Sequence, residues 1–157
     1  QPGDQVQPFT RPNPGFPRPA GKRPVVLIGA GTGVAPLAGF IRRNDRRAPM
    51  HLYFGTRDPA RDYYFKPEIA RWQDEGRVAS VQTAFSRVPE GGGYVQDVLQ
   101  RDAERVRKLL AQGALVRVCG SRPMARAVAE TLDSILAALK LSVHQLKEQG
   151  RYAEDVF

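Results

Sequence analysis

A chain of 157 residues has the length of a single domain, with 41% hydrophobic residues to fill its interior. One cysteine excludes an internal disulfide and argues against a thiolate metal cluster within one chain, and no apolar run of about 18 residues marks a membrane span or signal peptide. Twenty-four basic against sixteen acidic residues give a formal net charge of +8, which points to an anionic partner. The arginines are scattered rather than gathered in a tract, and no RNA-binding aromatic signature accompanies them, so nucleic acid is not expected. A small molecule carrying several phosphates, or an acidic redox partner, accounts for the surplus as well.

Seven of the 13 prolines fall in residues 1–24, together with Gly3, Gly15 and Gly21. That stretch cannot hold a helix and reads as a strand remnant or extended connector, leaving residues 24–157 as the folded domain. Val25-Val26-Leu27-Ile28 then forms a strand apolar on both faces, as in a parallel sheet. Gly29, Gly31 and Gly33 follow at alternate positions and allow a sharp turn with close backbone approach. Pro36 suits the first turn of a helix over about 36–44. Strand, glycine turn and helix start in that order build an anion site from free N–H groups and the positive end of the helix dipole. A glycine turn without a ligand remains the plain alternative.

Met50–Phe54 makes a second strand, closed by Gly55, and residues 65–75 a helix with Ile69 and Trp72 on one face. Val78–Phe85 is the third strand, and Gly91-Gly92-Gly93 a loose loop. One continuous helix is expected over 94–111 from the stripe Val95, Val98, Leu99, Val106, Leu109 and Leu110. Leu115–Cys119 is the fourth strand, and a helix over 123–140 opens on Pro123. Ser142 and Gln145 form a capping box for a short helix that Gly150 stops. Residues 151–157 read as a final edge strand. The alternation of β and α gives an α/β fold: an open, doubly wound parallel sheet of about five strands with helices on both faces. Ligands of such sheets bind at the carboxyl ends of the strands, where the strand order switches.

Three of those strand ends carry chemistry. The glycine turn offers backbone donors and the Thr32 hydroxyl. Ser86-Arg87 after the third strand pairs a hydroxyl with a guanidinium where this fold meets the adenine ribose, which suggests a 2′-phosphate rather than a bare ribose. Cys119-Gly120-Ser121 leads into another helix start, although a cysteine at a strand end is most often a small apolar residue. His51 and His144 lie far apart and show no metal-ligand spacing.

The motifs GAGTGVAP (29–36), FGTRDPARDYYF (54–65), AFSR with YVQDVL (84–99), VCGSRPMARAV (118–128) and RYAEDVF (151–157) together resemble one family. It is the NADP(H)-binding half of the ferredoxin-NADP reductase superfamily, in the diflavin-reductase branch typified by sulfite reductase flavoprotein. The resemblance covers residues 24–157, and residues 1–23 resemble the end of that family's FAD-binding domain and its linker.

The resemblance implies that Gly31, Thr32 and Gly33 cradle a pyrophosphate, with Pro36, Gly120 and Met124 also on the cofactor. Arg57 falls on the adenosine-phosphate side, Ser86 and Arg87 on the 2′-phosphate, Tyr94 on the adenine, with Gln96 in support. Cys119, Asp155 and Phe157 fall on the catalytic, nicotinamide-side positions. The implied reaction is hydride transfer from NADPH to the N5 of an FAD held mainly by an upstream domain, with onward transfer to an acceptor protein or haem or flavin domain. A cytoplasmic setting is implied, with membrane contact only through parts of a longer protein. Gly92 stands where many relatives carry a lysine, and one lost charged contact costs on the order of 1.5–3 kcal/mol, so an NADH-preferring domain is a second possibility. Ser121 replaces an aspartate found in some relatives. A non-catalytic NADP(H)-sensing or adaptor domain is the alternative from another class.

Overall fold

The structure, a computed structural model, describes residues 16–45, 48–57, 66–86 and 93–157. Five strands form one all-parallel sheet: β1 (Val25–Ala30), β2 (Met50–Thr56), β3 (Ser80–Phe85), β4 (Leu115–Gly120) and β5 (Tyr152–Val156), in the order β3-β2-β1-β4-β5. The chain winds outward from β1 through β2 to β3, then crosses back to build β4 and β5 on the other side. β1 is therefore central, and the order reverses between β1 and β4. Val25, Val26, Leu27 and Ile28 are each no more than 1% exposed, which explains the unbroken apolar run. Each such burial is worth about 1.5–3 kcal/mol.

Alternate strand residues face two separate cores. On one face Val25, Leu27, Leu52, Phe54 and Leu115 pack under α1 (Val34–Arg42) and α2 (Lys66–Asp74), through Leu37, Ile41, Ile69 and Trp72. On the other, Val26, Ile28, Tyr53, Val116 and Val118 pack under α3 (Val95–Arg101), α4 (Ala103–Ala111), α5 (Arg122–Leu136) and α6 (Val143–Glu148). The α/β fold expected from the alternation is the one observed.

Two helices depart from expectation. The helix expected over 94–111 breaks at Asp102, which ends α3 and starts α4. The buried Tyr53 hydroxyl donates to Asp102 Oδ2 at 2.5 Å, and a phenol taken out of water needs such a partner. The helix expected over 123–140 ends its α portion at Leu136, passes through a 3-10 turn, and stops at Lys140, which has a φ of 58°. Ser142 caps α6 as expected, its Oγ accepting the Gln145 amide at 3.2 Å.

The segment entering β1 is held to the sheet. Phe16 is buried, with its ring 5.4 Å from that of Phe40, and Arg117 Nε donates to the Pro17 carbonyl at 2.8 Å.

Candidate functional site

The carboxyl ends of β1, β2, β3 and β4 open onto one cavity of about 680 Å³, within the range of small-molecule sites. It is lined by Ala30, Gly31 and Thr32 from the end of β1, and by Gly55, Thr56 and Arg57 from the end of β2. Ser86, Gly93, Tyr94, Val95 and Gln96 come from the β3–α3 connection, Ser121, Pro123 and Met124 from the start of α5, and Phe157 from the end of β5. The cavity thus lies where the strand order reverses, as the fold predicts.

Three helix starts meet there, and they differ in how their free N–H groups are treated. At α3 the Asp97 carboxylate accepts the Tyr94 amide at 2.8 Å. At α5 the Ser121 hydroxyl accepts the Met124 amide at 3.3 Å, so this serine caps its helix. The 3-10 turn Gly31–Gly33 that leads into α1 has neither a capping side chain nor an acid in its first turn, and α1 has none either. Those amides suit an anion, in agreement with the glycine motif. Gly31 has a φ of 58° and open space where a Cβ would stand, so its side of the turn is free for a ligand. Gly33 serves differently: a Cβ there would lie 2.3 Å from the Cys119 carbonyl oxygen, so it lets the turn seat against the end of β4.

Of the residues singled out in the sequence, Gly31, Thr32, Arg57, Ser86, Tyr94, Gln96, Met124 and Phe157 line the cavity. Gly33, Pro36, Cys119, Gly120 and Asp155 stand outside its wall, and Arg87 lies outside the described residues. Gly120 is covered by Met124, whose sulfur would stand 2.8 Å from a Cβ on that glycine. Cys119 is 2% exposed and pairs in register with Asp155 across β4 and β5. Burial, and then the Asp155 carboxylate, push its thiol up to about 12. The Phe157 amide donates to the Gly120 carbonyl at 3.2 Å, carrying β5 to the cavity.

Sequence reasoning passed over Thr56 and Gly55, because only the parallel register of β1 and β2, Ala30 against Gly55, puts them beside the glycine turn. Tyr94 and Phe157 are 62% and 66% exposed and are the large hydrophobic side chains left open among the described residues, both on the cavity. Exposed rings at a cavity mouth suit planar ligands. The cavity size, the uncapped amides, the Thr32 and Ser86 hydroxyls, the Arg57 charge and the two rings all fit a dinucleotide. His51 and His144 lie elsewhere, hydrogen-bonded to Ser80 at 2.7 Å and beside Glu148 at 3.6 Å. Among the described residues no group of three metal-ligating side chains converges, and no helix is long and apolar enough to cross a membrane.

Comparison with known proteins agrees with this geometry. The family described as "Oxidoreductase NAD-binding domain" matches residues 27–130. NADPH–cytochrome P450 reductase of Oryctolagus cuniculus is 37% identical over 151 residues, covering 85% of this chain and 22% of that protein. The inducible nitric oxide synthase of Homo sapiens is 37% identical over 177 residues, covering all of this chain and 15% of that protein. NADPH oxidoreductase A of Dictyostelium discoideum is 32% identical over 170 residues, covering 99% of this chain and 26% of that protein. The chain therefore spans about a quarter or less of these relatives. With its fold, its strand-end cavity and most of its length inside the match, the chain belongs to the oxidoreductase NAD-binding domain family, in the diflavin-reductase branch.

Proposed function

We propose that this domain binds NADPH and presents its nicotinamide end to an FAD held by an upstream domain, as part of a flavin-dependent oxidoreductase that passes electrons to a further acceptor. The observation that carries this reading is the uncapped Gly31–Gly33 turn, which shares one cavity with Thr32, Arg57, Ser86 and Tyr94. When bound, NADPH supplies a hydride and FAD accepts it at N5. The chain itself contributes binding and orientation. The amides of the glycine turn and the Thr32 hydroxyl hold the pyrophosphate, with Arg57 neutralising charge on the adenosine side. Ser86, with Arg87 next in sequence, binds the 2′-phosphate, and Tyr94 offers its exposed ring to the adenine. Phe157 covers the opposite, nicotinamide end, with Cys119 and Asp155 behind it. Residues 1–23 belong to the end of the flavin-holding unit and its linker.

A second reading, a nucleotide-sensing module without redox work, is favoured by the burial of Cys119 behind the cavity wall. A chain rejoined to a flavin-holding domain separates the two, because Cys119→Ala then slows flavin reduction at unchanged NADPH affinity only if the domain is redox-active. The test of binding comes first: calorimetric titration of this chain with NADPH, NADH and 2′,5′-ADP at low salt. Tight binding of the two 2′-phosphorylated ligands and weak binding of NADH is the expected result. Equal affinity for NADPH and NADH would move the donor to NADH, and binding of none would overturn the nucleotide reading.

A further inference from the structure

Beside one corner of the cavity, behind the lining residue Gly93, stands a cation that no sequence motif pointed to. Ser86 follows β3, and the carbonyl of its neighbour Phe85 accepts the Gly93 amide at 3.3 Å. The strand end and the turn into α3 are thereby pinned side by side, and both Ser86 and Gly93 face the cavity. Gly93 has no side chain, and the place a Cβ would take is bounded by Asp97 Oδ2 at 3.2 Å and by Arg101 Nη2 at 3.6 Å. Arg101 sits on the last turn of α3, two turns on from Tyr94 and so on the same side of the helix. Helical side chains lean towards the N-terminus, and this one runs back past the Asp97 carbonyl, 3.5 Å from its Nε, to reach Gly93. Its guanidinium is exposed and makes no ion pair among the described residues. Arg57 is the one basic side chain among the described residues that line the cavity.

We propose that Arg101 is a specificity-determining residue: reaching past the bare backbone of Gly93, its guanidinium is a cation for a phosphate monoester on the ribose of the adenosine end. This rests on the NADP(H) reading of the cavity. A phosphate monoester carries between one and two negative charges near neutral pH, whereas the ribose of NADH offers a neutral hydroxyl at the same place. The Asp97 carboxylate stands at the same corner and repels that phosphate. Arg101 therefore acts twice, donating to the phosphate and offsetting Asp97. A side chain at position 93 would fill the gap through which the guanidinium reaches.

The experiment titrates the chain and its Arg101→Gln and Arg101→Lys variants with 2′,5′-ADP and with 5′-ADP at low salt. The expected result is an approximately tenfold loss of 2′,5′-ADP affinity in Arg101→Gln, with 5′-ADP unchanged and partial recovery in Arg101→Lys. Raised salt narrows the difference between wild type and Arg101→Gln, because the contact is exposed. Equal weakening of both ligands, or no weakening of either, overturns the role of Arg101 while wild-type binding leaves the nucleotide site standing. If the wild type binds neither ligand, the site and this inference fall together. Thermal melting of each variant separates loss of contact from loss of fold.

Discussion

Cys119 is a core residue that stands behind the cavity wall. Its thiol is 2% exposed, and burial together with the Asp155 carboxylate raises its ionisation to about 12. An unfolded cysteine ionises near about 8.5, so the folded value is the higher one. The neutral thiol therefore contributes stability in full below about 8.5, and that contribution is lost as pH rises towards 12. At pH 8 the native thiolate is on the order of one part in ten thousand, against roughly a quarter in the denatured chain. Iodoacetamide should accordingly alkylate the native chain on the order of a thousandfold more slowly than the urea-denatured chain, read by mass spectrometry. Native labelling within tenfold of the denatured rate would place the thiol in open solvent. That Cys119 lies near the end of a strand was readable from its apolar neighbours. Its enclosure by the Gly33 turn was not, since that contact depends on β4 lying beside β1, 86 residues away in sequence (119 less 33).

At the scale of the element, the glycine turn divides its labour between two residues with the same side chain and opposite constraints. At Gly33 the obstacle is backbone, with the Cys119 carbonyl oxygen at 2.3 Å and its carbon at 2.7 Å from a built Cβ. Neither can swing aside, so Gly33→Ala must displace the turn or the end of β4, at a cost of about 3 kcal/mol. At Gly31 nothing lies within 4 Å and only the φ of 58° resists a side chain, so Gly31→Ala costs about 1 kcal/mol. Urea unfolding of the two variants measures the difference, and equal losses would show that seating against Cys119 carries no weight. The motif announced the turn, but its spacing could not say which glycine faces the cavity and which faces protein. The break at Asp102 was hidden for a related reason. Apolar periodicity runs through it unchanged, while the tertiary hydrogen bond from Tyr53 that meets Asp102 at the break joins residues far apart in sequence.

Across the whole molecule, two buried guanidiniums tie distant segments to the sheet through carbonyl groups. Arg117, 3% exposed, donates to the carbonyls of Pro17 at 2.8 Å, Val116 at 2.9 Å and Arg151 at 3.2 Å. Arg151 in turn donates to Leu110 O at 2.7 Å and Ala114 O at 3.1 Å. Burial lowers the pKa of both arginines from its ordinary value. Arg117→Leu should release the entering segment: faster amide exchange at residues 16–24, little change in β2 and β3, and a stability loss of about 2–3 kcal/mol, or roughly 5–10 °C in melting temperature. Unchanged exchange at residues 16–24 would show that Phe16 alone holds it. Neither arginine stood out in the sequence, because the burial of a lone charge depends on segments that only the fold brings beside it. The parallel sheet itself was legible from its apolar runs, whereas the strand order was not. That order has a consequence for how such a domain diversifies. Strand middles such as Val26, Ile28 and Val116 are fully buried, while Thr32, Ser86 and Tyr94 stand on turns beyond the strand ends and Arg101 on the helix that follows β3. On the NADP(H) reading proposed above, inherited changes at the second set would redirect which nucleotide is accepted without eroding the fold, so descendants would exchange one nucleotide for another in small, individually viable steps.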